Sequence, residues 1–283
     1  MLSIIICSRD RQLLQQVSKN IDDTIGISYE IIAIDNSNGD YGICKAYNIG
    51  ASRAKYSFLC FMHEDIRIYT QGWGQLVVSK LEAKETGVIG IAGGRIKTCN
   101  PETWYLPIHQ SIRMSIIENT TTEKVKYSLY NPNNEETSEV ITLDGVWMCC
   151  RKKVWDENRF DEDTFRHFHF YDLDFCLQLY RKKLKVKVIY DILIEHYSTG
   201  NLNRIWIKDA ILYWQKWNNY LPISIDFVSK EDMDGLSYIS NKYFLEIMLQ
   251  NNYRGSYLLK SFVKYYLRKI TRSAKYRLKK LMN

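Results

Sequence analysis

Apolar positions recur along this chain in two rhythms. Residues 2–7 (Leu-Ser-Ile-Ile-Ile-Cys) form a nearly continuous, β-branched apolar run, as expected of a strand covered on both faces. Ser8, Arg9 and Asp10 interrupt it, and Leu13, Leu14 and Val17 then fall at helical spacing. The cycle repeats. Residues 29–35 predict a second strand, closed by the turn signal Asp35-Asn-Ser-Asn-Gly39, and residues 43–55 a helix carrying Ala46, Tyr47, Ile49 and Ala54. Residues 58–62 are apolar throughout and give way at once to His63, Glu64 and Asp65. This third strand organises the chain. Open α/β sheets bind ligands outside the carboxyl ends of their strands, and carboxylate oxygens placed there suit a hard cation.

Further on, residues 71–85 read as a helix with Trp73, Leu76, Val77 and Leu81 on one side, and residues 87–94 as a fourth strand closing on Gly93 and Gly94, where backbone must pass close to a neighbour. Residues 98–137 are the least regular and suggest hairpins and loops. A strand over 140–150 is interrupted at Asp144 and Gly145, which predicts a kink or bulge. Residues 160–174 are a loop dense in acids, histidines and aromatics that leads into a helix with Leu173, Leu177 and Tyr180. A strand at 186–190 and an apolar segment at 192–194 precede Glu195 and His196. From residue 203 onward the pattern is helical, with Trp206, Ile207, Ala210, Ile211 and Trp214, and the last ~30 residues read as a basic amphipathic helix. The β-α-β-α-β order predicts an α/β fold with a mostly parallel central sheet flanked by helices. The domain expectation is residues 1–202 for the α/β part and 203–283 for a helical extension.

Composition changes this picture in one place. The net charge is +7, yet residues 254–283 hold ten Lys or Arg and no acid, leaving 29 basic against 32 acidic residues elsewhere, about −3. Basicity therefore belongs to the tail, and a nucleic-acid partner is not expected. Two readings of the tail fit: peripheral contact with an anionic membrane, or a helix packed on the protein with a solvated basic face. Seven cysteines without a C-x-x-C pair suggest reduced thiols and a cytoplasmic setting. Neither a signal peptide nor a run near the ~18 residues of a membrane span is read. The first strand-to-helix turn, Cys-Ser-Arg-Asp-Arg, has no glycine, so a glycine loop does not cradle phosphates here. Phosphate binding would need another device, such as a metal.

Taken in order, these pieces resemble a family 2, GT-A fold glycosyltransferase of the kind found in bacterial polysaccharide loci. Asp35 ends a strand similar to the nucleotide-contacting strand of that family. Tyr47-Asn48-Ile49-Gly50 resembles its N-x-G segment, and His63-Glu64-Asp65 stands where it has D-x-D. Asp144-Gly145 and the Arg151 that follows look like its acceptor-side segment. Tyr171-Asp172-Leu173-Asp174 stands where E-D-x-D is usual, and His196 matches its late histidine. The resemblance implies nucleotide-sugar contacts from Ser8, Asp35, Asn48, Glu64 and Asp65, and acceptor contacts from Asp144, Gly145 and His169. It implies Asp172 as general base, and Mg²⁺ or Mn²⁺ held by Asp65 and His196. The expected partners are a nucleotide-diphosphate sugar donor and a saccharide or lipid-linked acceptor. Two departures stand out: His63 in place of the first D-x-D aspartate, which leaves Asp65 the main metal role, and Tyr171 in place of glutamate. They favour, as the alternative, an inactive nucleotide-sugar-binding or scaffold relative.

Bland readings remain open for several of these residues. Asp35 suits a turn, Asp172 and Asp174 suit the first turn of a helix, His196 a strand end, and Asp144 a kink. His167 and His169 suit packing within an aromatic loop, and Trp104 either a rim position or a sugar-stacking one.

Overall fold

The computed structural model describes residues 1–106, 108, 111–119, 125–197 and 200–282, with side chains placed up to residue 270. Residues 120–122 of the Asn/Thr-rich patch, residues 198–199 after Tyr197, and the side chains of the tail from Thr271 lie outside this description. The chain divides into two compact units, Met1–Ile96 with Trp104–Gly200, and Lys97–Thr103 with Asn201–Asn283.

In the first unit the elements run β1 (Leu2–Ser8), α1 (Arg11–Thr24), β2 (Tyr29–Asp35), α2 (Ile43–Arg53), β3 (Phe58–Met62), β4 (Ile66–Ile68), α3 (Trp73–Glu82), β5 (Thr86–Gly90) and β6 (Ala92–Gly94). A short β7 (Ile96–Lys97) spans the point where the chain leaves this unit. After the chain returns come β8 (Ile112–Glu118), β9 (Lys126–Tyr130), β10 (Thr137–Val140), β11 (Thr142–Leu143), β12 (Trp147–Arg151), α4 (Lys152–Asp156), α5 (Tyr171–Arg181), β13 (Lys185–Ile189) and β14 (Ile194–His196). Seven strands form the main sheet in the order β10-β13-β5-β12-β3-β1-β2. Pairings β1/β2, β1/β3 and β13/β5 are parallel, while β12 runs antiparallel to both β3 and β5, and β10 antiparallel to β13. Five strands thus share one direction. The run of β-branched and aliphatic residues in β1 is buried almost completely, as a central strand demands.

A second, smaller sheet holds β11-β6-β8-β14-β4, with β9 on the far side of β8 as a hairpin partner. The chain crosses from the large sheet to the small one after β3, β5, β10 and β13, and crosses back before β5, β10 and β12. The interruption at Asp144 and Gly145 is therefore a change of sheet. The paired glycines answer to the same crowding. A side chain on Gly93 or Gly94 would run into the carbonyl of Thr142 or Trp104.

The second unit comprises α6 (Arg204–Trp217), β15 (Ile223–Ser224), α7 (Lys230–Gln250) and α8 (Ser256–Met282). Asn203 caps α6 by accepting from the Ile205 and Trp206 N–H groups at 2.8 and 3.0 Å, and Ser229 caps α7 from Asp232 N–H at 3.1 Å. The segment Lys97–Thr103, read from sequence as part of an irregular stretch, belongs to this unit. Lys97 is fully buried there, with Nζ 3.3 Å from the Glu102 carboxylate and donating to the Thr103 carbonyl at 2.6 Å. Glu102 also accepts from Thr98 N–H, Thr98 Oγ1 and Ser240 Oγ at 2.7, 2.8 and 2.6 Å. Two buried charges are tolerated because each is hydrogen-bonded.

Candidate functional site

The carboxyl ends of β1, β2 and β3 share one edge of the main sheet, so Ser8, Asp35 and the segment 63–65 arrive there together. Because β12 is antiparallel to β3, it is its amino end that reaches this edge. Trp147 pairs with Met62, and His63 N–H donates to the Val146 carbonyl at 3.0 Å. Asp144 and Gly145 are thereby delivered beside His63. In the small sheet β14 pairs with β4 so that His196 faces Ile66, and Tyr197 N–H donates to the Asp65 carbonyl at 3.1 Å. The 63–65 segment lies at the crossing from β3 to β4, and Asp144 and Gly145 at that from β11 to β12.

His63, Asp65 and His196 meet at this edge with ligand atoms within 4.8 Å of one another. Asp65 Oδ1 lies 3.8 Å from His63 Nδ1 and 3.5 Å from His196 Nε2. Burial, then the neighbouring His196, push His63 down to about 4, so its imidazole is neutral at ordinary pH. Burial works against a charged His196 too, but Asp65, Asp144 and Glu118 outweigh it and raise that histidine. The Tyr171 hydroxyl donates to the Gly145 carbonyl at 2.9 Å and lies 2.9 Å from His63 Nε2. With its proton committed to Gly145, Tyr171 oxygen accepts from His63, which places the hydrogen on Nε2 and leaves the Nδ1 lone pair toward Asp65. A neutral imidazole with a fixed tautomer, a carboxylate and a second imidazole are a donor set that fits a divalent cation. The sequence reading assigned the metal to Asp65 and His196 alone. The structure adds His63, and the residue that departs from D-x-D becomes part of the cluster.

Tyr171 can lie this close because position 145 is glycine; a side chain there would overlap the phenol. Gly145 N–H donates to Asp172 Oδ2 at 2.8 Å, and Leu173 N–H to Asp172 Oδ1 at 2.9 Å. Gly145 was expected to contact an acceptor, but both of its backbone polar groups serve Asp172 and Tyr171. Asp172 opens α5 behind Phe170, which holds a left-handed φ of 65°. That conformation is costly for a bulky residue and marks a constrained junction. Asp172 is 8% exposed, and burial, then the Asp144 carboxylate, push it up to about 7. Asp144 is raised as well, chiefly by burial, although His196, Val146 N–H and Trp104 moderate this. Trp104, read from sequence as a rim or stacking residue, lies near enough to Asp144 to help lower its carboxyl.

At the other side of the edge, Glu64 accepts from Ser8 Oγ at 2.7 Å and from the Arg9 and Asp10 N–H groups at 2.9 and 3.1 Å. These two expected nucleotide contacts are thus bonded to each other and hold the turn between β1 and α1. Asp35 is exposed at the end of β2, its carboxyl lowered by the Ser37 N–H it accepts at 3.0 Å. Asn48 lies elsewhere. Its amide donates to the Phe160 carbonyl and the Glu162 carboxylate at 2.9 and 2.7 Å, and accepts from Trp155 Nε1 and Phe160 N–H, both at 3.2 Å. Two donors and two lone pairs are all used, so the side chain pins the 160–162 segment and has none left for a nucleotide. His169 is half-buried, and burial, then His167, push it down to about 4.

Three further residues escaped the sequence reading. Phe168 is 48% exposed with its ring 5.3 Å from His63. Glu118 contributes negative charge near His196 and Asp144. Glu195, beside His196, accepts from Tyr69, Tyr197 and Asn119 at 2.6, 2.8 and 2.7 Å.

A family profile described as a glycosyltransferase-like family matches residues 3–219. A search of curated proteins returned no match. Among solved structures, a crystal structure of GalNAc-T7 with UDP, GalNAc and Mn²⁺ is similar over 87% of this chain and 56% of that one, with 11% identity and a TM-score of 0.51. A crystal structure of TarS from S. aureus is similar over 87% and 43%, with 12% identity and a TM-score of 0.48. The chain spans about half the length of these solved relatives. At such identity the likeness to GalNAc-T7 shows the fold, the GT-A arrangement of a mixed sheet with flanking helices.

Proposed function

The chain belongs to the glycosyltransferase-like family, and from that premise we propose that it is an inverting glycosyltransferase. It would move a hexosyl or deoxyhexosyl group from a nucleotide-diphosphate sugar to a hydroxyl of a saccharide or lipid-linked acceptor in surface polysaccharide or glycolipid assembly. The observation that carries this reading is the meeting of His63, Asp65 and His196 at the end of β3. In this proposal residues 1–202 form the nucleotide-sugar-binding catalytic domain and residues 203–283 a helical region, and the protein works in the cytoplasm at the inner membrane face.

His63, Asp65 and His196 would hold Mn²⁺ or Mg²⁺, and imidazole nitrogens suit the former better. Such a cation, when bound, supplies Lewis-acid neutralisation of the departing diphosphate. Asp35, exposed and ionised, would accept hydrogen bonds from ribose or base. Asp172 would take the proton of the acceptor hydroxyl as that oxygen bonds to the anomeric carbon and the bond from this carbon to the diphosphate oxygen breaks. A single displacement of this kind inverts the configuration. A carboxyl near 7 suits a general base, because it is substantially ionised at neutral pH and still basic enough to accept a proton. Asp144 and His169 would contact the acceptor, with Gly145 positioning the base. The inactive-relative alternative rested on His63 and Tyr171. Their mutual hydrogen bond at 2.9 Å instead joins both to the cluster, and no other observation favours it.

Calorimetric titration with UDP, GDP, dTDP and CDP, each with and without Mn²⁺, tests the proposal. The expected outcome is one nucleotide that binds, more tightly with metal, and less tightly after Asp65→Ala. Absence of binding across the panel would overturn it.

A further inference from the structure

Among the described side chains, up to residue 270, α8 packs into the second unit along one side. Tyr257 lies against Trp214 and Phe244, with ring centroids 5.3 and 5.9 Å apart. Ser261 exchanges hydrogen bonds with Asn241 at 2.7 and 3.0 Å, Lys264 Nζ reaches Asn100 Oδ1 at 2.6 Å, and Tyr265 stacks on Tyr238 at 5.2 Å. These residues follow the three- and four-residue spacing of one helical face.

Up to residue 270, the opposite face carries exposed apolar side chains. They form a stripe of Leu259, Val263, Tyr266, Leu267 and Ile270, exposed by 72, 50, 54, 59 and 64%. The stripe follows the same spacing over about three turns, roughly 17 Å at 1.5 Å per residue. Exposed Lys260 and Lys269 border it on either side. The sequence from 254 to 283 carries ten basic residues and no acid, and α8 continues through Met282. Among the described residues no helix is long and apolar enough to cross a membrane. An amphipathic helix with an apolar stripe, lysine borders and no acid matches a planar surface that is apolar below and anionic above. A protein partner fits less well, since protein interface cores are depleted in lysine.

We infer that α8 lies in the headgroup layer of an anionic phospholipid bilayer, inserting Leu259, Val263, Tyr266, Leu267 and Ile270 and setting Lys260 and Lys269 against lipid phosphates. This rests on α8 alone and stands or falls apart from the glycosyl-transfer proposal.

Vesicle flotation of the full chain tests it, using phosphatidylcholine vesicles with and without phosphatidylglycerol. The wild type should bind the anionic vesicles and release them as salt is raised. The double substitution Val263→Asp with Leu267→Asp changes only exposed positions, and should lower the bound fraction at least ~10-fold while thermal unfolding stays unchanged. Lys260→Glu with Lys269→Glu should weaken binding to anionic vesicles selectively. No binding by the wild type, or binding indifferent to the double aspartate substitution, would overturn the inference. So would a stripe that proves to hold two copies together, seen as wild-type dimers that the aspartates dissociate without any vesicle binding.

Discussion

At the residue scale, Gly145 joins Tyr171 and Asp172 through its backbone carbonyl and N–H. Replacing Asp172 by Asn keeps the shape and removes the base, so kcat should fall ~10²–10⁴-fold with nucleotide affinity little changed, as steady-state kinetics against calorimetry will show. The sign of the pH dependence follows from the raised carboxyl. Below about 7 Asp172 is protonated and cannot accept the acceptor proton, so kcat/KM should climb as pH rises through that value. A profile flat from pH 5 to 8 would count against Asp172 as base. Tyr171→Phe leaves the ring and removes the hydroxyl that holds the His63 hydrogen on Nε2. Mn²⁺ affinity, measured by calorimetry without substrate turnover, should weaken ~10–100-fold, the usual cost of losing such an outer partner. Gly145→Ala drives a methyl into the same hydroxyl and should cost ~1–3 kcal/mol in urea unfolding.

At the scale of elements, the antiparallel β12 is decisive. A parallel strand in its place would carry 144–146 to the far edge of the sheet, away from His63. Asn48 shows the complementary case, a helix residue that holds a loop. Its four hydrogen bonds tie α2 to residues 155–162, and Asn48→Ala leaves the Phe160 carbonyl and Trp155 indole without them. Stability should fall ~1–3 kcal/mol, while the Kd for nucleotide at saturating Mn²⁺ moves by less than a factor of about three, under 1 kcal/mol. Loss of nucleotide binding with unchanged stability would restore Asn48 as a direct contact.

At the scale of the whole molecule, charge is partitioned between the two units. The first gathers Asp65, Asp144, Asp172 and Glu118 around its sheet edge, and the second carries the basic helix. The second unit is in turn anchored by a buried ion pair. Lys97→Met would strand the Glu102 carboxylate in a dry interior, and breaking such a pair typically costs ~3–5 kcal/mol. Hydrogen exchange should localise that loss to α6, α7 and α8, leaving β1–β3 protected. Uniform loss across both units would mean that they unfold as one.

The alternation of apolar runs and helical stripes was enough to give the α/β order, because strand burial and helix amphipathicity are written in local spacing. The placement of Asp35 and Asp65 at strand ends was legible for the same reason, as was the basic tail. Where β12 inserts and in which direction was not legible, since that depends on pairings between residues distant in sequence. Nor was the partnership of His63 with Tyr171, whose separation of 108 positions carries no local signal of contact. The segment Lys97–Thr103 looks like any polar loop until its lysine is found buried against Glu102. Tertiary structure alone turned His63 and Tyr171 from two departures into one hydrogen-bonded pair, because only packing decides which neutral donors and acceptors a buried ring will meet.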